Sequence, residues 1–285
     1  MRIARECPCC GGQRLLSSPA VVMPFVADRA LGWPPATIDE SWGLRTIPSG
    51  RAYTICNSLQ CKDCRFLFSD IRFDDAELQA LYRDYRGDEY VTLRERYEPG
   101  YAERNRGFSA EVPWLRESER FVGEQLHTGS PRVLDFGGDT GINTPFRSAA
   151  SLCHIYDISD VETLDGVKSV TYAEARATKY DLLISTQVLE HVPEPLDVMV
   201  EMRDCMSPDT LLFLEVPHEA LMKQHSDSLT AVTAKRHWHE HINFYSLDAL
   251  DALATAAGLR LVARHEFGAP GSESNILQSV LALAA

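Results

Sequence analysis

From residue 127 onward, short apolar runs alternate with amphipathic stretches. Val133–Phe136, His154–Tyr156, Val170–Tyr172, Leu182–Ser185 and Leu211–Val216 read as strands, with stretches long enough for helices between most of them. Mostly apolar runs of this kind belong to strands covered on both faces, and their alternation with helices predicts a parallel sheet. Two late segments, Leu259–Glu266 and Ile276–Leu283, read as closing antiparallel strands. The predicted fold class is α/β, a doubly wound sheet with a small unit before it.

Upstream the periodicity weakens. Ser17–Gly50 is rich in Pro, Gly and Trp and is expected to be a long loop or a pair of irregular strands. Arg51–Ile55 alternates and reads as a strand. Asp74–Tyr82 reads as a capped amphipathic helix, with acids in its first turn and apolar residues three to four apart. Residues 83–112 form a Tyr/Arg/Glu-rich connector, and Trp114–Leu126 reads as a helix entering the core domain. An insertion dense in histidine spans 217–246, and Ser246 is placed to cap the helix that follows it. The expected domains are 1–72, a helical connector or cap over 73–126, and a core domain over 127–285 carrying that insertion.

Composition narrows the classes. The chain has 285 residues, 45% hydrophobic and 24% charged, as in soluble globular proteins. Its formal net charge is −13, with no run of Lys or Arg, so a nucleic-acid partner is not expected. Met1–Glu6 is polar and leads straight into cysteines, and the longest apolar stretches fall far short of a membrane span. A cytoplasmic location is expected, where eight cysteines suggest metal more than disulfides.

The chemistry begins at Val133-Leu134-Asp135-Phe136-Gly137-Gly138-Asp139-Thr140-Gly141. An apolar strand ends in an acid and turns through Gly137, Gly138 and Gly141, which lets backbone approach a ligand. About twenty residues on, a second strand ends in Asp157, well placed for the two hydroxyls of a ribose. Carboxylates suit a pyrophosphate poorly and an ammonium group well. S-adenosylmethionine has an amino-acid head and no phosphate, so it is the expected cofactor. Ser185, Thr186 and Gln187 stand at the carboxyl end of a later strand, where such sheets bind ligands.

Two C-x-x-C pairs, Cys7/Cys10 and Cys61/Cys64, supply four soft ligands for a structural Zn2+. Cys9 is the alternative to Cys10. Cys56, Cys153 and Cys205 read as buried apolar residues.

The D-x-G-x-x-x-G loop, with Tyr180–Val192 (YDLLISTQVLEHV) read as the fourth strand and following helix, resembles the class I S-adenosylmethionine-dependent methyltransferases. That resemblance implies a Rossmann-like methyltransferase sheet. The N-terminal C-x-x-C-G…C-x-x-C module and Tyr-rich helix are similar to sugar methyltransferases acting on nucleotide-linked deoxysugars, including 3-C-methyltransferases. Those enzymes carry Tyr, Glu and His where this chain has Trp238, Glu240 and His241. The match makes His241 the leading general base and Glu240 its orienting or sugar-binding partner. His239, His237 and His191 are the other candidate bases, and His237, His239 and His241 could together hold zinc. Trp238 removes a phenol that could relay a proton and offers a flat surface for a sugar ring. Tyr82, Tyr85 and Tyr90 are candidates to cap the pocket.

Those relatives have a further C-terminal domain, and a counterpart to it after Ala285 is not expected here. O-methylation of a nucleotide-linked or polysaccharide-end sugar is therefore expected slightly ahead of C-methylation. The rivals are methyl transfer to a non-sugar small metabolite and an inert scaffold built on the same fold.

Overall fold

The computed structural model describes residues 1–42, 50–107, 110–159, 161–225 and 229–284. Residues 43–49 of the expected Ser17–Gly50 loop, 108–109 of the connector, 226–228 of the insertion, and positions 160 and 285 of the core domain lie outside the described residues.

Seven strands form the main sheet: β1 (Arg132–Phe136), β2 (Leu152–Tyr156), β3 (Lys168–Ser169), β4 (Leu182–Thr186), β5 (Leu211–His218), β6 (Leu259–Gly268) and β7 (Asn275–Leu283). Their order is β3-β2-β1-β4-β5-β7-β6. β1 to β5 are parallel, and β7 is antiparallel to both β5 and β6. Val133, Leu134, Leu182, Leu183 and Ile184 are wholly buried, as central parallel strands require. The order reverses between β1 and β4, which opens a crevice at their carboxyl ends.

Local capping overrides two of the expected elements. Val170–Tyr172 is not a strand, because Thr171 caps the helix Tyr172–Ala177 in a reciprocal capping box with Glu174. After β4 the chain turns through Val188–Pro193, and the helix starts only at Pro195 (Pro195–Asp204). Glu190 and His191 therefore lie in a turn. Helix Leu247–Ala256 begins at its expected cap, Ser246, whose hydroxyl accepts from Ala249 N at 3.1 Å.

The Ser17–Gly50 stretch is far more ordered than its composition suggests. It contributes most of a strand, Leu15–Val22, then helix Pro24–Leu31 and a short strand, Ala36–Ile38. Pro19 and its small neighbours hide the alternation of the first strand. The expected strand over Arg51–Ile55 is broken: Gly50–Ala52 and Ile55–Cys61 are separate strands. The connector folds into helices Asp88–Tyr97 and Tyr101–Gly107. No helix among the described residues is long and apolar enough to cross a membrane.

The N-terminal unit is built on a five-stranded sheet in the order His237–Trp238, Leu15–Val22, Ile55–Cys61, Leu67–Ser69, Asn243–Phe244. Both outer strands come from the histidine-rich insertion, on Val21–Val22 at one edge and Leu67–Phe68 at the other. They cover edges that would otherwise be open. The two sheets share one core, in which Cys7, Cys64 and Phe66 join Leu134, Leu189 and Leu250.

Two buried polar side chains fasten the post-β4 turn to this sheet. The Arg72 guanidinium donates to Pro193 O (2.8 Å), Val192 O (3.2 Å) and Asn243 Oδ1 (2.9 Å). Asn243 Nδ2 donates to Leu189 O (2.8 Å) and Val192 O (2.7 Å). Removing Asn243 takes three hydrogen bonds out of a buried contact, although Leu189 O keeps the Tyr245 hydroxyl and Val192 O keeps Arg72. Asn243→Ala is expected to lower the unfolding free energy by about 2–3 kcal/mol in urea denaturation. A loss below about 0.5 kcal/mol would show that the turn does not depend on this bridge.

Candidate active site

The β1 loop gives the crevice its floor. A Cβ at Gly137, where φ is +80°, would lie 2.5 Å from Val188 Cγ2. One at Gly138 would lie 2.7 Å from Asp135 Cγ and Oδ2. Asp135 is 1% exposed and accepts from Thr144 Oγ1 at 2.6 Å, while its Oδ1 has no hydrogen-bond partner among the described residues. Burial pushes this carboxyl up to about 7 despite the Thr144 bond. A carboxylate placed this way is costly alone and favourable beside an ammonium group.

Asp157, just beyond β2, accepts from the backbone N–H of Asp139 (2.9 Å) and of Ser159 (2.7 Å). It borders a cavity of about 570 Å3 that Tyr156, Ser159, Val170 and Thr171 also line. Ser185, at the end of β4, has a buried hydroxyl without a partner among the described residues, and Thr186 beside it is half-buried. Gln187 turns instead toward Glu215 on β5, bonding it through its backbone N–H (2.9 Å) and Nε2 (3.2 Å). A second cavity, about 880 Å3, lies between helix Asp75–Tyr82 and the loop after β2 and shares Ser159 and Val161 with the first.

Tyr82 lines the second cavity and leads to a histidine pair. Its hydroxyl is 3.0 Å from His191 Nδ1, which also lies 3.2 Å from the Glu240 carbonyl oxygen. The rings of His191 and His241 meet edge to face, 4.6 Å between centroids. His241 Nδ1 is 3.4 Å from Glu219 Oε1. Glu190 is wholly buried, with one oxygen 3.9 Å from His191 Nε2, and neither oxygen accepts a hydrogen bond among the described residues.

The electrostatics separate these groups. Burial pushes the Glu190 carboxyl up to about 7. Burial, reinforced by the neighbouring His241, takes His191 well below an ordinary imidazole. On His241 burial pulls the same way, but the Glu219 bond and the carboxylates of Glu190 and Glu240 outweigh it and leave that ring raised.

Several expected roles change. The Glu240 carboxylate faces away from His241 and meets Tyr90 and Arg94 (2.6 Å) of helix Asp88–Tyr97, because they offer a buried acid its cation and donor. Its hydrogen-bond contact with the histidine pair is made by its backbone carbonyl. Glu219, just beyond β5, is the acid at His241; its place at a strand's carboxyl end was the available signal. His239 Nδ1 lies 3.5 Å from Glu98, and His237 is exposed on an edge strand. Among the described residues, the three histidines 237, 239 and 241 do not gather into a metal-holding group. Trp238 is 1% exposed and bonds Ser58 Oγ at 2.9 Å, so it is core and offers no surface to a sugar. Tyr90 is likewise core, while Tyr85 lines the larger cavity.

The cysteines converge as a set of four. The sulfurs of Cys7, Cys10, Cys61 and Cys64 lie within 4.8 Å of one another, with Cys7–Cys64 at 3.5 Å and Cys10–Cys61 at 3.7 Å. Tetrahedral zinc at ~2.3 Å from each sulfur sets them about 3.8 Å apart. Cys9 is buried but outside the set, and Cys56, Cys153 and Cys205 are buried too.

A switch-point crevice with an acid at two successive strand tips belongs to the class I S-adenosylmethionine-dependent methyltransferase fold. The chain is a member of the methyltransferase domain family, which it matches over residues 101–264. It is 28% identical over 154 residues to the C-methyltransferase NovU of Streptomyces niveus, a match covering 48% of this chain and 35% of that protein. The chain thus matches about a third of that relative's length. Among solved structures it resembles a Burkholderia thailandensis 1,6-didemethyltoxoflavin-N1-methyltransferase with bound S-adenosylhomocysteine (17% identity, TM-score 0.49, 69% of this chain and 90% of that one). It also resembles the CcbJ methyltransferase of Streptomyces caelestis (18% identity, TM-score 0.43, 62% and 92%).

Gly138→Ala pushes a methyl group against the Asp135 carboxylate. It is expected to weaken S-adenosylhomocysteine binding at least tenfold in calorimetry, about 1.4 kcal/mol. Wild-type affinity in this variant would mean that Asp135 does not border the ligand.

Proposed function

We propose that the protein transfers the methyl group of S-adenosylmethionine to a hydroxyl of a sugar, with the Glu190–His191–His241 cluster managing the acceptor's proton. The observation that carries this reading is the pairing of a buried acid with one unpartnered oxygen, Asp135, with two facing imidazoles beyond the same strand ends. Asp135 Oδ1 takes the cofactor's ammonium group and Asp157 its ribose diol. Gly137, Gly138 and Gly141 keep side chains out of the cofactor's path, and Ser185 and Thr186 border it at the tip of β4. Bound there, S-adenosylmethionine would supply an electrophilic methyl on its sulfonium, the carbon–sulfur electron pair staying on sulfur as the acceptor oxygen took the methyl.

The residues around that reaction hold, orient and deprotonate. The Glu240 carbonyl and Tyr82 hydroxyl fix the His191 ring, and Glu219 fixes His241, the leading group for drawing off the hydroxyl proton. The larger cavity beside Tyr82 and Tyr85 admits the rest of the acceptor. Oxygen is preferred over carbon because a hydroxyl has a single proton to lose, which one imidazole, His241, can take. Transfer to an enolisable carbon is the second reading, favoured by the likeness to a C-methyltransferase.

The four cysteines are assigned a structural Zn2+, because four thiolates leave no open coordination position. A reducing cytoplasm suits this thiol set, and the net charge of −13 suits a small molecule or glycan better than a nucleic acid.

His241→Ala is expected to cut methyl transfer from labelled S-adenosylmethionine to a sugar panel by about 100-fold or more. Calorimetry should show unchanged cofactor affinity; full activity would remove the cluster from the reaction. Elemental analysis should find one tightly held zinc per chain, lost in Cys64→Ser together with a lower melting temperature. Purified protein without tight zinc, melting like the cysteine variant, would refute that assignment.

A further inference from the structure

We infer that Glu190, His191 and His241 form a second metal site, for a divalent first-row cation, at the acceptor side of the crevice. Their ligand atoms all lie within 4.8 Å of one another. Each imidazole has its Nδ1 engaged from outside: His191 by the Glu240 carbonyl and the Tyr82 hydroxyl, His241 by the Glu219 carboxylate. His191 Nε2 faces Glu190, and Nε2 is the nitrogen of His241 that Glu219 does not engage. Metal-bound histidines are held in this way, one nitrogen on the ion and the other on a carbonyl or carboxylate.

Glu190 supplies the independent observation. Its side chain is 0% exposed and neither oxygen accepts a hydrogen bond among the described residues. A buried carboxylate in that state is unfavourable, and a divalent cation relieves it. Glu219 stands behind His241 and adds a second negative charge to the surroundings. Two imidazoles and one carboxylate form a three-ligand face that suits zinc, cobalt, manganese or iron and leaves positions open. Hydroxyl groups of an acceptor are the ligands such positions take.

The site has to close before it binds. His191 Nε2 and Glu190 Oε1 are 3.9 Å apart. Ligands around a cation at ~2.1 Å stand about 3–3.4 Å apart, so side-chain shifts of about an ångström suffice. This inference rests on the reading of the cavity as an acceptor site, and it specifies how the cluster works there. With a cation bound, His241 serves as a ligand in place of its role as base; the cation would make a coordinated hydroxyl more acidic, and its proton would pass to solvent water.

The test titrates Co2+ into the zinc-loaded full chain and follows visible absorption and calorimetric heat. One Co2+ per chain should bind beyond the tight zinc, without thiolate-to-cobalt charge-transfer bands. Glu190→Gln and His241→Asn, close to isosteric, should each weaken that binding at least tenfold while the tight zinc and the S-adenosylhomocysteine affinity stay unchanged. No cobalt beyond the cysteine site, or wild-type cobalt affinity in both variants, would overturn the inference. S-adenosylhomocysteine calorimetry on the same samples separates the two claims: failure to bind it sinks the methyltransferase reading, whereas a missing cobalt site leaves that reading standing.

Discussion

Two carboxylates are buried at the carboxyl ends of the parallel strands with too few partners. Asp135 has one oxygen unsatisfied and Glu190 has both. Two other buried acids among the described residues are well supplied: Glu215 takes Trp114, Gln187, Ser118 and Gln278, and Glu240 takes Tyr90 and Arg94, while half-buried Glu98 keeps one oxygen without a hydrogen bond beside His239. The chain is thus able to satisfy acids where it folds around them. Leaving two unsatisfied at the switch point costs stability, and a cationic ligand restores it. The two proposed cationic groups, an ammonium head at Asp135 and a divalent cation at Glu190, would correct that imbalance.

The second requirement is that the two sheets stay in register with each other. The acids at the strand tips belong to one sheet, and Tyr82 belongs to the cap. His241 lies in the loop between the two insertion strands that complete the five-stranded sheet of the N-terminal unit. The post-β4 turn carrying Glu190 and His191 hangs between them on Arg72 and Asn243. The cysteine cluster sits behind the same contact, where Ser246 Oγ donates to Cys64 O at 3.1 Å and caps the next helix. The zinc proposed for that cluster would therefore also hold the histidine-bearing segment in place.

Much of this was legible from local pattern. Strand runs, the Gly137–Gly141 turn, the acids at two strand tips, the two C-x-x-C pairs and the caps at Asp74 and Ser246 all depend on residues a few positions apart. What stayed hidden depends on long-range pairing. Glu240 is close to His241 in sequence, yet its carboxylate goes to Arg94, 146 positions away. Trp238 looks like a binding surface until Ser58, 180 positions away, takes its indole N–H. Pro19 disguised a strand whose partner is Asn57, and Thr171 with Glu174 pulled an apolar run into a helix.

Isothermal titration of S-adenosylmethionine into the wild-type protein and into Asp135→Asn tests the central claim most directly. The account predicts saturable binding by the wild type, weakened at least tenfold when the charge is removed, or about 1.4 kcal/mol. No heat from the wild type at millimolar cofactor, or equal affinity in the two proteins, would contradict it.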